Sequence, residues 1–204
     1  NSLVIRETAR FLLKKHGFVS FKEEYRKQIH SGSITPGVLS GLGETGDEED
    51  FTLLASFVSD EKVKIRTTVI GGLYRINSEQ SVSYLVNTLK DASAKVRRVG
   101  RTLLNKHGYF DLASVRNILR EGTSASRVSA LMVLCYSSSW DAIEDILMAV
   151  TDEDENVRNT AWNGYVKWYR YRNINNWVQP SQRVLELIEN KLHSLKSKTV
   201  EVPG

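Results

Sequence analysis

The sequence has few of the residues that cross-link a chain, break helices or anchor it in a membrane. Its 204 residues include a single cysteine, Cys135, which excludes an intramolecular disulfide and any zinc or iron–sulfur site built from several cysteines. Three prolines and few alternating apolar–polar segments argue against β-structure and favour helices. The longest uninterrupted apolar run, residues 130–136, is far too short to span a membrane.

Targeting signals and strong charge are also lacking. No signal-peptide pattern opens the sequence, so we expect a cytoplasmic protein with no membrane insertion. The net charge is only +4, from 28 Lys and Arg against 24 Asp and Glu, and 41% of the residues are apolar. A chain of this composition folds around a core and is not disordered as a whole.

What the sequence does contain is an internal repeat of about 30 residues. The segment 95–108 is echoed by the segment 4–17, and one position, which we call the landmark, recurs in steps of 29, 31, 31, 30 and 31 residues. Its occupants are Arg6, Thr35, Arg66, Arg97, Arg127 and Arg158. A register kept through six repeats indicates a fold made of similar units placed one after another.

Apolar residues keep the same register. They lie one residue before the landmark and three and seven residues after it, as Ile65, Val69 and Leu73 do in the third repeat. These positions share one side of a helix, so each repeat contains a helix with an apolar stripe. A capping box at Ser20, an N-cap at Asp111 and the pair Thr35-Pro36 mark further helix starts, which makes each repeat a pair of helices.

Two other features repeat with the landmark. Eleven residues after it lie Gly17, Gly46, Asn77 and Gly108, which we expect to end helices in the left-handed conformation. Six residues before it lie Asp60, Asp91, Glu121 and Asp152, in the turn between the two helices. We interpret these acids and the landmarks Arg66, Arg97, Arg127 and Arg158 as a structural ladder, in which each arginine reaches an acid of its own or an adjacent repeat.

This acid-x5-Arg helical hairpin resembles the HEAT-repeat family, and its short period resembles the HEAT-like repeats of the phycobilisome-lyase type. The resemblance covers residues 3 to 172 and implies an all-α fold, an α-solenoid of five to six hairpins stacked as a right-handed superhelix. First helices are then convex and second helices concave. The second repeat departs from the pattern, because Thr35 replaces the arginine and Ile29 occupies the acid position.

The register also predicts domain limits. Residues 1–195 are expected to form one repeat domain, and residues 196–204 a flexible tail. Residue 1 falls just before the second helix of a hairpin whose first helix is missing, so we expect this chain to be a fragment of a longer protein or to have lost a preceding segment.

No arrangement of residues points to catalysis, a cofactor or a metal. HEAT-like hydroxylases hold iron with His-Glu pairs, and this sequence has no His-Glu dipeptide. His16 and His107 both precede a cap glycine, where an imidazolium complements the helix dipole. Cys135 lies in an apolar helix and is expected to be a packed side chain. No phosphate-binding loop, dinucleotide fingerprint or nucleophile elbow occurs.

Nucleic-acid binding is the alternative that the sequence leaves open. The tryptophans Trp140, Trp162, Trp168 and Trp177 invite comparison with the HEAT-like alkylpurine DNA glycosylases. The helix 156–172 combines aromatic residues with cations, and the segment 90–120 carries eight basic residues against two acids. Acidic runs at 44–50 and 152–155 interrupt this charge, whereas a nucleic-acid groove is cationic along its length.

Protein binding is the function that the concave face favours. Positions one, four, five and eight residues after each landmark should face inward, and cations occur there only in the first and fourth repeats. The expected partner-binding residues are Tyr74, Arg98, Arg101, Met132, Trp162 and Asn163. Because the end of the groove is apolar, it suits a peptide or helix better than phosphates. We therefore expect a non-catalytic scaffold for a protein or peptide partner, with no cofactor.

Overall fold

All the regular secondary structure in the described part of the chain is helical. The computed structural model describes residues 2–17, 20–137, 140–175 and 181–199, and no strand occurs among them. The helices are α1 (Leu3–Lys15), α2 (Phe21–His30), α3 (Pro36–Thr45), α4 (Glu49–Ala55), α5 (Val63–Ile76), α6 (Ser78–Thr88), α7 (Ala94–His107), α8 (Leu112–Glu121), α9 (Ser124–Leu134), α10 (Asp141–Ala149), α11 (Glu155–Asn175) and α12 (Gln182–Thr199). The all-α fold class expected from the sequence is confirmed.

Contacts between helices divide the chain into two compact units. The N-terminal unit comprises Asn1–Leu103 and the C-terminal unit Leu104–Gly204, whereas the sequence predicts one domain over 1–195. In the N-terminal unit α3 packs against α2, α4 and α5, and α5 packs against α4 and α6. In the C-terminal unit α9 packs against α8, α10 and α11, and α10 packs against α11 and α12. In each unit, therefore, hairpin partners pack together and a second helix packs on the next second helix.

The apolar stripe predicted for the second helices forms the core of both units. In α5, Ile65, Val69 and Leu73 are buried, and the same positions are buried in α11. Val38 and Leu42 in α3 and Ala130 and Leu134 in α9 are buried as well. The period of 3.6 residues keeps these side chains on one face, so burying that face holds each hairpin together.

Several predicted caps are confirmed. The side chains of Ser20 and Thr35 accept hydrogen bonds from the amides three residues on, and Asp111 accepts from the amides of Ala113 and Ser114. Pro36 occupies the first turn of α3. These oxygens satisfy amide groups that the first turn of a helix leaves unpaired.

The predicted left-handed caps are correct at two of four positions. Gly17 and Gly108 have φ of 83° and 82°. Gly46 has φ −73° and Asn77 has φ −149°, so the expectation is wrong there. A Cβ at Gly46 would lie 2.6 Å from the carbonyl oxygen of Leu42, so this glycine serves close packing. Asn77 instead is the N-cap of α6, where its side chain accepts a hydrogen bond from the amide of Gln80.

Helix α1 differs from the other second helices, because none of its residues is buried. Its stripe residues Ile5, Ala9 and Leu13 are exposed. The helix is held to the N-terminal unit by ion pairs from Arg6 and Arg10 to the buried carboxylate of Glu44 on α3. Its polar side therefore faces the protein, and most of its apolar side chains face solvent.

Helix α12 extends further than the sequence suggests. The tail was expected to begin at residue 196, and α12 continues to Thr199. Residues 200–204 lie outside the described part of the chain.

Candidate protein-interaction surfaces

The turns between paired helices are clamped by the landmark arginines. Arg66 donates hydrogen bonds to the backbone carbonyls of Asp60 and Glu61, at 2.7 and 3.0 Å. Arg97 and Arg158 bind the carbonyls of their own turns in the same way. Each of these guanidinium groups thus closes the turn that precedes its own helix.

Two of the arginines also join neighbouring repeats. Arg66 donates from Nε and Nη2 to both oxygens of Asp91, each at 2.8 Å, and Arg127 donates to Asp152 at 2.9 Å. Burial works to raise the pKa of Asp91, but hydrogen bonds from Arg66 and from the amide of Ser93 outweigh it and hold that pKa below its usual range. Glu121 is exposed at the end of α8. The pairs Arg66–Asp91 and Arg127–Asp152 thus tie the turns of neighbouring repeats together.

Further ion pairs that the sequence register does not show link other helices. Arg26 on α2 donates to the buried carboxylate of Asp50 on α4 at 2.5 Å, and Arg116 on α8 donates to Asp145 on α10 at 2.7 Å. Neither pair stands at a recurring position, so no spacing in the sequence could have revealed them.

In the N-terminal unit the expected partner-binding residues lie on α5 and α7. Arg98 is exposed, whereas Tyr74 and Arg101 are half-buried. Burial lowers the pKa of Arg101, and the neighbouring charges of Arg97 and Arg98 lower it further. Three arginines on one stretch of α7 therefore make a cationic patch, in which Arg97 is already engaged by its own turn.

In the C-terminal unit the expected residues lie on α9 and α11. Met132, Trp162 and Asn163 are all exposed. Met132 belongs to a solvent-facing strip of α9 that is apolar at every turn and that we call the α9 strip. It comprises the exposed Ala125 and Met132 and the half-buried Val128, with the exposed Tyr136 just beyond the end of the helix.

The structure corrects one of the positions expected on the concave face. Four residues after the landmark, Leu39, Ile70 and Leu131 are 0%, 2% and 0% exposed, so this position is buried in α3, α5 and α9. The sequence register placed this side of the second helix towards the solvent of the concave face, whereas in these three helices it is buried. Trp162 holds the same position in α11 and is 47% exposed. Trp162 therefore leaves exposed a position that is buried in α3, α5 and α9.

Aromatic rings continue from Trp162 along α11. The ring centroids of Trp162 and Tyr165 are 6.0 Å apart, and those of Tyr165 and Tyr169 are 6.2 Å apart. Tyr165 is buried in the middle of this row, and burial raises its pKa, while Trp162 and Tyr169 are exposed at either side. We call Trp162, Tyr165 and Tyr169 the α11 row.

The remaining tryptophans do not extend this surface. Trp168 is buried and packs edge-on against Trp140 at 4.6 Å between centroids. Trp177 lies outside the described residues. The aromatic and basic surface expected over 156–172 is thus reduced, among the described side chains, to Trp162 and Tyr169 with Lys167 and Arg170 exposed nearby on the helix.

Cys135 is a packed thiol. Burial raises its pKa to about 12, although the charge of Lys167 acts in the opposite direction. A Cβ placed on Gly164 would lie 2.0 Å from its sulfur, so the thiol fills the space above that glycine. A protonated, buried thiol is a poor nucleophile, and Cys135 serves the packing of α9 on α11.

A shallow apolar groove lies between α10 and α12. Its volume is about 300 Å³, and it is lined by Leu147, Met148, Leu187, Asn190, Lys191 and Ser194.

No group of three or more His, Cys, Asp or Glu side chains converges on a metal position among the described residues. Within the same part of the chain, every helix is too short or too polar to cross a bilayer.

Comparison with known proteins assigns no family. No family model matches the chain, and no curated protein matches it. One similar solved structure is the crystal structure of an engineered protein from the Northeast Structural Genomics Consortium, which aligns over 86% of this chain and 90% of that chain. At 12% identity and a TM-score of 0.37, this likeness supports no conclusion about fold or function.

Proposed function

We propose that the chain is a non-catalytic HEAT-like interaction module, an α-solenoid whose second helices bind a protein or peptide. Three observations support the solenoid. The landmark register places equivalent side chains in the core, the second helices α3 and α5 pack together as α9 and α11 do, and the landmark arginines clamp successive turns. Repeats of this kind bury their apolar faces only against neighbouring repeats, and they offer an extended surface for binding.

The observation that carries the binding proposal is the α9 strip. The half-buried Val128 and the exposed Met132 follow one another on α9, the exposed Tyr136 lies just beyond the end of the helix, and no charged residue occurs between 128 and 136. Exposed apolar residues that recur at helical spacing form the kind of surface on which apolar side chains of a peptide dock. Methionine adapts its shape to different partners, which suits a scaffold.

Charged groups beside the strip favour a partner with acidic residues. Lys167 on α11 lies close enough to Cys135 at the border of the strip to influence its thiol. The peptide that fits best combines apolar anchors with a carboxylate, since cations at the rim steer an acidic partner towards the apolar contact.

The experiment is a selection of binding peptides with matched variants. Random 16-residue peptides are displayed and selected on the wild-type chain, and their affinities are measured for wild type, Met132→Asp and Tyr109→Asp. Tyr109 is an exposed aromatic residue outside the α9 strip. We expect Met132→Asp to weaken binding at least about tenfold, because a carboxylate in the apolar contact loses its water, whereas Tyr109→Asp changes little.

Two results would refute the proposal. One is a set of selected peptides that bind all three proteins equally, and the other is a failure to enrich any peptide that needs Met132. Circular dichroism of both variants checks that the helices are intact.

Nucleic-acid binding remains the second candidate, because Trp162 and Tyr169 are exposed on a helix that also carries Arg170. Stacking of bases on such rings would tolerate many sequences and would weaken steeply with salt. Oligonucleotide binding at low salt that disappears in the variant Arg170→Gln would support it. No binding at low salt would remove it.

A further inference from the structure

Helix α11 carries a line of asparagine side chains on its solvent side. Asn156, Asn159 and Asn163 are spaced three and four residues apart, so they share one side of the helix, and all three are exposed. Lys167 and Arg170 continue this line further along the helix and are exposed as well. We call these five residues the α11 polar face.

The helix itself gains nothing from its asparagines. Asn159 and Asn163 lie in the interior of α11, where asparagine favours a helix less than alanine, lysine or glutamate does. Among the described residues, no hydrogen bond joins either carboxamide to another group. Each carboxamide therefore has two N–H donors and a carbonyl acceptor to offer to a partner.

The α9 strip and the α11 polar face occupy equivalent positions of successive repeats. Every residue of the strip has a counterpart one repeat later, and the pairs are Ala125 and Asn156, Val128 and Asn159, Met132 and Asn163, and Tyr136 and Lys167. Since α9 and α11 pack against each other, an apolar line and a polar line run along neighbouring helices.

Two contacts establish how these helices lie. Near the start of α9, Arg127 donates a hydrogen bond of 2.9 Å to Asp152 in the turn before α11. At the end of α9, the thiol of Cys135 fills the space above Gly164 of α11. The two helices therefore run in the same direction at close range, which keeps the equivalent residues of the two lines beside each other.

The combination of an apolar line and a carboxamide line favours an extended partner over a helical one. A helix bonds its main-chain N–H and C=O groups to one another, so it has no use for the carboxamides. An extended segment carries unpaired main-chain N–H and C=O groups along its edge, and a carboxamide pairs with both. Its side chains alternate, so every second one points to the same side.

The spacing along the helices also fits an extended chain. Val128 and Met132 on α9, like Asn159 and Asn163 on α11, are four residues apart, which is about 6 Å along a helix axis. Two residues of an extended chain cover about 6.7 Å. The α9 strip is about 16 Å long from its first residue to its last, which is the length of about five extended residues.

Charges at the two ends of this surface set the direction of the segment. Lys167 and Arg170 lie beyond the asparagines at one end. At the other end Glu155 is exposed in the first turn of α11, and the exposed Glu153 lies 3.3 Å from Arg127. A carboxylate on the segment is attracted to the first end and repelled by the free acid at the second.

We propose that the α9 strip and the α11 polar face together bind an extended peptide segment that runs along the two helices. Alternate apolar side chains of the segment contact the α9 strip, its main chain pairs with Asn159 and Asn163, and an acidic residue lies beside Lys167. This inference rests on the proposed function, and it specifies the conformation and the direction of the bound peptide.

The probes for the test are the selected peptides that need Met132. Their affinities are measured for wild type, for the double variant Asn159→Ala, Asn163→Ala and for the control Asn117→Ala, the same change at an exposed asparagine on α8. Alanine is the better helix former, so these variants keep their helices. We expect the double variant to weaken binding at least about tenfold, and the control to change it less than about twofold.

Alanine scanning of the peptides reports their bound conformation. We expect losses at every second position, as an extended segment requires, and not at positions three and four apart, as a helix requires. Methylation of single peptide nitrogens removes one N–H donor and leaves the side chains unchanged. At the positions that meet the carboxamides it should weaken binding to wild type more than binding to the double variant.

Replacement of the acidic residue of a peptide by its amide tests the direction. We expect this change to weaken binding to wild type and to have little effect on binding to Lys167→Gln, because the charge that attracts the carboxylate is then absent. An equal loss on both proteins would contradict the direction proposed for the segment.

Three results would overturn the extended segment. They are critical peptide side chains spaced three and four residues apart, a double variant that binds as tightly as wild type, and a control that loses as much affinity as the double variant. In each case Met132→Asp still weakens binding, so the proposed function stands while this inference fails. The absence of any peptide that needs Met132 would instead reject the proposed function, and this inference with it.

Discussion

At the scale of single residues, the contact between Cys135 and Gly164 decides how closely α9 and α11 approach. The sulfur of Cys135 occupies the space that a Cβ on Gly164 would need. Protein interiors are close-packed, so an added methyl group forces either the side chain or the helix to move.

Gly164→Ala is accordingly expected to destabilise the C-terminal unit by about 1–3 kcal/mol through overpacking. Adding Cys135→Ala removes the sulfur and should recover part of that loss. Urea unfolding of the two single variants and the double variant measures the coupling between them. Purely additive effects would contradict the contact.

The pair of Arg66 and Asp91 links stability to pH. The pKa of Asp91 is lowered in the folded chain, so the pair stabilises the fold above the ordinary carboxylate pKa and this stability is lost as the pH falls through the lowered value.

We expect Asp91→Asn to lower the free energy of unfolding at pH 7 and to reduce its decline between about pH 5 and pH 2. The control is Asp60→Asn, at the same position of the preceding repeat, where Arg66 binds the backbone carbonyl that asparagine retains. Chemical unfolding across this pH range is the measurement. Equal effects of the two variants would show that the carboxylate of Asp91 is not what Arg66 requires.

Repetition decides which residue contacts the sequence could reveal. Arg66 and Asp91 belong to columns that recur, so spacing alone pointed to a ladder. Arg6 is a landmark, but its partner Glu44 belongs to no column, and the pairs of Arg10 with Glu44 and of Arg26 with Asp50 lie outside the columns altogether. They depend on how particular helices cross, which only three-dimensional packing determines.

At the scale of helices, an apolar stripe in the sequence does not by itself determine whether that stripe is buried. The stripe in α1 has the same spacing as that in α5, and the sequence predicted both helices. Only the stripe in α5 is buried, because burial requires a neighbouring helix. The sequence likewise placed Trp162 on the concave face, whereas the equivalent Leu39, Ile70 and Leu131 are buried.

Leu131 and Trp162 both lie four residues after their landmarks, but Leu131 is buried and Trp162 is half exposed. Replacing each of them with alanine measures how much burial at this position contributes to stability. We expect Leu131→Ala to cost about 2–5 kcal/mol, as a fully buried leucine does, and Trp162→Ala to cost less than about 1 kcal/mol because its side chain is half exposed. Urea unfolding of the two variants and of the wild type gives both values. A large loss for Trp162→Ala would show that it belongs to the core.

At the scale of the whole molecule, the repeat register predicted the all-α class and the pairing of helices. It could not predict that contacts divide the chain into the units Asn1–Leu103 and Leu104–Gly204, because density of contact does not follow from periodicity. The single-file solenoid stays a proposal, founded on second-helix packing seen within each unit.

Distances between spin labels test that solenoid most directly. Ser40, Thr102 and Asn163 hold the fifth position after the landmark in the second, fourth and sixth repeats. In a Cys135→Ser background, two of these residues at a time are replaced by cysteine, and a spin label is attached to each cysteine. Stacked helices lie about 8–10 Å apart, so pulsed electron resonance should give about 20 Å for Ser40–Thr102, about 20 Å for Thr102–Asn163 and up to about 40 Å for Ser40–Asn163. A distance from Ser40 to Asn163 shorter than either of the other two would contradict a single file of repeats.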